Sequence, residues 1–263
     1  MGAILVGTSG YSYDDWVGPV YPPGTDRREF LPLYAERFSF TELNFSYYRL
    51  PTARGLTQIA SKVPADFRFV VKAYRSLTHD REPGWEHDAE RFGDALGGLG
   101  DQVSGVLLQF PYSFHYTPEN RRHLASLSDA LSSARLFVEF RNDEWDHEAV
   151  WTEMERRRLG LVIPDLPDLP RLPHVAQPGA NLRRTADHAY VRFHGRNAGN
   201  WWNGTNVTRY DYNYSQAELE GWVEPVRSLA AKTEVVVVAF NNHFAGQAVA
   251  NAEEFMRLLG LAA

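Results

Sequence analysis

Short runs of β-branched and apolar residues recur along the chain, and most of the segments between them read as helix. The runs are Ile4–Thr8, Phe40–Asn44, Phe67–Ala73, Gly105–Phe110, Leu136–Arg141, Leu159–Asp165, Ala189–His194 and Val235–Asn241. A run and the segment that follows take about 30 residues, the length of one βα unit. Val235-Val236-Val237-Val238 is continuously apolar, as a strand buried on both faces requires. Ser215-Gln216-Ala217-Glu218 reads as a capping box ahead of an apolar stripe at Leu219, Trp222, Val223 and Val226. Thr117-Pro118 supplies an N-cap and a proline at the first helical position. Ala149–Leu159 and Ala248–Leu259 repeat apolar residues every 3.6 positions. Residues 166–187 are rich in proline and show no helical stripe, so the sixth helix is expected to be missing or irregular.

With 263 residues available, eight strands alternating with helices fold most simply as a TIM-type (β/α)8 barrel with long βα loops, one domain over residues 1–263. An open doubly wound sheet is the rival. It would usually carry a glycine-rich phosphate turn after its first strand, and Gly7-Thr8-Ser9-Gly10-Tyr11 does not fit that fingerprint. Hydrophobic residues at 44% and charged residues at 23% are ordinary for a globular protein and exclude disorder. A formal charge of −6 argues against a protein that coats nucleic acid non-specifically. The absence of cysteine removes disulfides, thiolate nucleophiles and cysteine-ligated metals. No stretch approaches the ~18 apolar residues of a membrane span, and Met1–Val6 lacks a basic leader, so a cytoplasmic protein is expected.

In a barrel, alternate residues of each strand face the lumen. Taking the outermost polar residue of each run as inward selects Thr8, then Glu42 with Asn44, Lys72, Gln109, Glu139 with Arg141, Asp165, Arg192 with His194, and Asn241 or Asn242. Ionisable groups inside a barrel are costly without partners. This ring is therefore either a self-neutralising ion-pair network or a ligand site at the C-terminal face, where such barrels place their chemistry. Long loops after the first, third, sixth and seventh strands favour a site. They carry Tyr11, Tyr13, Trp16, Tyr21, Trp85, Trp201, Trp202, Tyr210, Tyr212 and Tyr214, with Trp145 after the fifth strand, and these rings either wall a cleft or cover the rim.

The strand ends also sit in motifs. Gly7-Thr8-Ser9-Gly10-Tyr11-Ser12-Tyr13 with Trp16 opens the chain, followed by Thr41-Glu42-Leu43-Asn44 with Tyr47-Tyr48-Arg49 and Pro51, then Phe69-Val70-Val71-Lys72. Leu107-Leu108-Gln109-Phe110-Pro111, Val138-Glu139-Phe140-Arg141 with Trp145, Tyr190-Val191-Arg192-Phe193-His194-Gly195 and Phe240-Asn241-Asn242-His243 come later. Together they make the chain resemble the YecE-like family, domain of unknown function 72, over nearly its whole length. The resemblance implies a TIM-barrel-like fold and no settled activity. The family commonly has Asp after the Asn pair, and His243 stands there in this chain, which leaves the role of that position open.

Four chemistries fit these residues. Glu42 and Glu139 across the lumen could act as acid and base, unless Lys72 or Arg192 neutralises them. Glu42, Glu139, Asp165, His194 and His243 are metal-ligand types, but interleaved cations compete and no metal-spacing motif is present. Arg141, Arg192 and Lys72, joined by Arg49, Arg75 and Arg196, could clamp a carboxylate or phosphate. Lys72 could form a Schiff base, which nearby glutamates oppose. Ser9 has no His–acid partners evident in the sequence.

The reading favoured is a barrel enzyme, of acid/base hydrolase, lyase or isomerase type, acting on a small polar anion such as a carbohydrate or phosphorylated metabolite. Glu139, Glu42, Lys72, Asp165 and His194 are the catalytic candidates. Arg141, Arg192, Gln109, Asn44, Asn241, Asn242, Tyr11, Trp16, Tyr48 and Trp145 are the substrate-binding ones. No cofactor is required and a divalent metal is left open. The alternatives are a phosphodiester-binding, endonuclease-like barrel, with nucleic acid the less favoured partner, and a non-catalytic ligand-binding protein. No membrane partner is expected.

Overall fold

The computed structural model describes residues 2–173 and 182–261. Eight parallel strands close into a barrel in sequence order: β1 (Ala3–Thr8), β2 (Phe40–Leu43), β3 (Arg68–Lys72), β4 (Val103–Gln109), β5 (Leu136–Glu139), β6 (Gly160–Asp165), β7 (His188–Phe193) and β8 (Val235–Phe240). β8 closes on β1 through the register Ala3↔Val235 to Thr8↔Phe240. Each strand lies within a few residues of the run that predicts it. The helices α1 (Phe30–Ala35), α2 (Phe45–Tyr48), α3 (Ala53–Ala60), α4 (Trp85–Leu96), α5 (Pro118–Ala130), α6 (Glu148–Arg157), α7 (Asn206–Arg209), α8 (Gln216–Ala230) and α9 (Gln247–Leu259) fill the connections. The capping signals act as the sequence indicates. Thr117 accepts from the Asn120 amide at 3.2 Å to open α5, and Ser215 and Glu218 cap each other's amides at the start of α8. Between β6 and β7 no helix occurs among the described residues, and residues 174–181 of that connection lie outside them.

The barrel interior divides into two storeys. Its lower part is apolar, filled by Leu5, Phe40, Val70, Leu107, Phe137, Val162, Val237 and Ala239 around the ring of Tyr190. These residues alternate with others that pack on the helix shell, where Phe193, Phe240 and Trp222 meet in one aromatic cluster. The upper part is polar. Gly7 lets β1 and β2 approach there, because a Cβ at that position would lie 2.2 Å from the Phe40 carbonyl oxygen. Gly195, at φ +84°, turns the chain away just after His194 and carries no side chain that would meet Tyr212.

Two inward assignments are corrected by this alternation. On β6 the lumen positions are Val162 and Pro164, so Asp165 points outward to α8. The last lumen position of that strand is apolar, and choosing the outermost polar residue selects the wrong face. On β1, Thr8 faces outward and its hydroxyl contacts the Tyr34 hydroxyl at 2.9 Å. Ser9 takes the lumen position, 3.2 Å from Arg192 Nη2.

Candidate functional site

Arg192, at the top of β7 and only 2% exposed, is the hub of the polar storey. Its Nη1 donates to Glu139 Oε2 and its Nη2 to Glu42 Oε1 at 2.7 Å. The Tyr190 hydroxyl, two residues back on the same face, donates to the other oxygen of Glu42. The second oxygen of Glu139 is shared by Arg141 Nε at 2.7 Å and His194 Nε2 at 3.1 Å. Asn241 contacts His194 Nδ1 at 3.0 Å. Both glutamates are fully buried.

This crowding sets the protonation states. Burial alone would raise the Glu139 carboxyl, but Arg141, Arg192 and His194 together hold it well below the usual carboxylate range. Burial and the guanidinium groups of Arg141 and Arg192 push His194 down to about 3, so its ring is neutral near pH 7. Burial would discharge Arg192, and Glu139 and Glu42 outweigh it and fix the positive charge.

Above the network opens a cavity of about 1040 Å³. Lys72, Gln109, Arg141, Arg192, Asn44, Asn241 and Glu42 form its floor. Tyr11, Tyr13, Tyr47, Tyr48, Tyr112, Trp201, Trp202 and Tyr210 form its walls. His79, Arg209 and His243 complete the rim, with the His243 ring stacked 4.5 Å from Tyr13. Lys72 donates to Gln109 Oε1 at 2.9 Å and lies 4.7 Å from the centre of the Tyr47 ring. No carboxylate lies within ion-pairing distance of Lys72 among the described residues. Burial and the charge of Arg192 lower its amine to about 8. Nearby His79 is lowered to about 4, by burial first and the Lys72 charge next.

The structure therefore brings together Glu42, Lys72, Glu139, His194, Arg141, Arg192, Gln109, Asn44 and Asn241, with Tyr11 and the 70% exposed Tyr48 on the walls. It does not bring the remaining candidates there. Asp165 lies outside the lumen, bound by Arg196 (2.6 Å), Tyr214 (2.7 Å) and Trp222 (3.1 Å). Asn242 is turned outward, donating to Asn251 and to the Tyr212 carbonyl. Trp16 is buried under the β8 loop, its Nε1 donating to the His243 carbonyl at 2.7 Å. Trp145 is buried in a stack with Phe140 and Phe114 and donates to the Phe114 carbonyl. Those three are scaffold, because large rings and side-chain amides that find backbone partners are buried for packing. Of the outlying cations, Arg196 is taken by Asp165 and Glu218, and Arg75 by Asp80. The outlying cation that does line the cavity is Arg209, which sequence reasoning missed. It ends α7, a single helical turn between β7 and α8 that is too short for periodicity to point to the lumen. Tyr190 was missed too, although it shares its strand face with Arg192. His79, in the loop after β3, had no signal.

Among the described residues no cluster of His, Asp and Glu is arranged to hold a metal ion, and Arg192 stands between the two glutamates. No described helix is long and apolar enough to cross a membrane. The model of the family described as "Protein of unknown function DUF72" matches residues 5–263. The UPF0759 protein YunF of Bacillus subtilis is 29% identical over 98% of this chain and 95% of its own length. A DUF72 family protein of Thermotoga maritima superposes with a TM-score of 0.89 at 36% identity, over 98% of this chain and 99% of that one. A DUF72 family protein of Enterococcus faecalis gives a TM-score of 0.85 at 26% identity, over 99% of this chain and 96% of that one.

Proposed function

The chain belongs to the DUF72 family, whose description assigns no activity, and on the geometry of its cavity we propose an enzyme that acts on a small polar anion such as a sugar acid or phosphorylated metabolite. One observation carries this reading. The acids of the polar storey are consumed by internal partners, while three cavity cations keep unused donors. Lys72 has one hydrogen-bond acceptor. Arg141 touches Glu139 through Nε, and neither of its terminal nitrogens donates a hydrogen bond to a described residue. Arg209 lines the cavity over the Trp201 ring, and its Nε is buried without an acceptor among the described residues. Cationic donors left without partners are costly unless a ligand uses them, and a forked guanidinium beside an ammonium suits a carboxylate or phosphate.

The chemistry follows from the protonation states. Glu139 is held ionised and cannot serve as a general acid, which weakens a two-carboxylate hydrolysis. Lys72 titrates near 8 and is the group able to give or take a proton close to neutral pH. The aromatic walls suit the faces of a sugar ring. Thermal-shift titration with phosphorylated sugars, sugar acids and their neutral parents tests the reading. The anions should raise the melting temperature of the protein and not of Arg141→Met; equal shifts from the neutral parents would overturn it.

The exposed rim rings, Phe45, Tyr48 and Trp202, favour a second reading, in which unpaired bases stack there and a phosphodiester reaches the cations. Oligonucleotide affinity that falls steeply with added salt would select it.

A further inference from the structure

Lysine is scarce in this chain. Lys62, Lys72 and Lys232 are the three among 27 basic residues, and the remainder are arginines. Lys62 and Lys232 are exposed on the surface. Arginine thus carries nearly all positive charge, including the structural charge of Arg192 in the barrel, yet the floor of the cavity holds a lysine. For holding an anion alone, arginine would serve at least as well. A primary amine can do what a guanidinium does not do with a simple carbonyl, which is to condense with it to an imine.

The surroundings of Lys72 suit that step. Its side chain ends in the cavity, so a ligand reaches it. Among the described residues it forms no ion pair, and its side-chain contacts there include an amide oxygen and a ring face. Burial and the flanking charges of Arg192 and Arg141 keep a useful share of the amine unprotonated near neutral pH. Arg141, also on the cavity floor, donates no hydrogen bond from its terminal nitrogens to a described residue, which leaves them for a ligand's anionic group.

We propose that Lys72 is a covalent nucleophile that condenses with a small carbonyl compound bearing a carboxylate or phosphate, the anion being held by Arg141. This rests on the anion-binding reading above and adds the reaction. The Lys72 nitrogen attacks the carbonyl carbon, forming the N–C bond as the C=O π pair moves to oxygen. A proton passes from nitrogen to that oxygen. The proton that the ammonium gave up before attacking returns to this hydroxyl, the nitrogen lone pair forms the C=N bond as the C–O bond breaks, and water leaves. Lysine ammonium plus carbonyl compound becomes protonated imine plus water, with no change of charge and no oxidant or reductant. The cationic imine withdraws electrons from the adjacent carbon, so proton loss or C–C cleavage there is the reaction class it serves.

The test uses the whole chain with pyruvate as the carboxylate probe and glyceraldehyde 3-phosphate as the phosphate probe, each with sodium borohydride to reduce an imine to a stable amine. Intact-mass and peptide mass spectrometry read the site. The expected result is one adduct at Lys72, formed about tenfold or more above Lys62 and Lys232, which act as internal controls. Whichever probe labels identifies the anion. Glycerol 3-phosphate, which has no carbonyl, should protect against the phosphate probe. Lys72→Arg should keep the melting-temperature rise with glycerol 3-phosphate and lose the adduct. Anion binding with labelling spread evenly over the three lysines, or no labelling by either probe, overturns the nucleophile and leaves the anion reading standing. Loss of both the thermal shift and the adduct overturns both.

Discussion

Two buried carboxylate clusters lie near the C-terminal end of the barrel, Asp165 on β6 and the pair Glu42 and Glu139 on β2 and β5, and they are built for opposite ends. Asp165 faces the helix shell and is closed: Arg196, Tyr214 and Trp222 take its oxygens, and Arg196 is tied onward to Glu218. Glu139 and Glu42 face the lumen and are saturated as well, but their cationic partners continue past them into open space. Among the described residues, Arg141 keeps unused donors and Lys72 stands on the same floor with no carboxylate of its own. The outer cluster has the composition of a joint between β6 and α8. The inner one is a neutralised base on which surplus positive charge is mounted. A polar residue at the end of a barrel strand is therefore not a site residue by position. What distinguishes the site is donor capacity left over after internal pairing.

The largest effect should come from the hub of the inner cluster. Arg192→Met leaves Glu42 and Glu139 buried without their shared counter-ion. The loss should be about 3–5 kcal/mol, the range for breaking a buried pair by removing one partner, read from urea unfolding. A loss under 1 kcal/mol would mean that water or rearrangement compensates the two acids, and that the cluster is less closed at its base than the contacts indicate.

Asp165→Asn comes next. It keeps the shape but weakens three charge-assisted bonds, for a cost of about 2–3 kcal/mol. Anion-induced thermal shifts should be unchanged after allowance for the lower starting temperature. If they vanish while Arg141→Met retains them, the roles of the two clusters are exchanged.

The clusters also separate by pH. His194 is neutral in the folded protein, lowered to about 3 from an ordinary value of 6.5. The unfolded chain binds a proton that the folded one does not, so stability is full above about 6.5 and falls as the pH drops toward 3. One such group gives a slope of about 1.4 kcal/mol per pH unit across that window. Glu139, also depressed, adds to the loss lower in the range. His194→Gln should flatten the curve between pH 6.5 and 5 by close to one proton; an unchanged slope there would show that His194 is not the group titrating.

Much of this was legible in the sequence and some was not, for physical reasons. Barrel strands buried on both faces read as apolar runs, so all eight could be placed. Alternation then led to Glu42, Lys72, Gln109, Glu139, Arg141, Arg192, His194 and Asn241, which share one face of their strands and do meet at the barrel top. It failed at Asp165 and Thr8, where the last lumen position is a proline or lies just past the strand. Trp16 and Trp145 were misjudged because a ring in a loop motif looks the same whether it walls a cavity or plugs the core. Arg209 and His79 belong to short helical turns within the β7–α8 and β3–α4 connections, whose side chains reach the cavity by tertiary placement that no local pattern records.

The smallest expected change has the opposite sign, and it tests the comparison most sharply. Members of the outer cluster stabilise the fold, so each replacement there should cost stability. Lys72 is a desolvated cation without a carboxylate partner, and its amine is lowered to about 8 from an ordinary 10.5. The unfolded chain therefore holds the proton more tightly, and a charged Lys72 works against folding wherever the pH lies below about 8. Lys72→Met should stabilise the protein by about 1 kcal/mol, as relieving a functionally strained position commonly does. The gain should be flat below pH 8 and fall as the folded lysine loses its proton, with the fall ending near 10.5, where the unfolded lysine loses its own. Urea unfolding of the variant and the parent at pH 7, 9 and 10.5 measures it. Destabilisation at pH 7 would place Lys72 with the structural cations and remove the distinction between a saturated joint and a floor left open for a ligand.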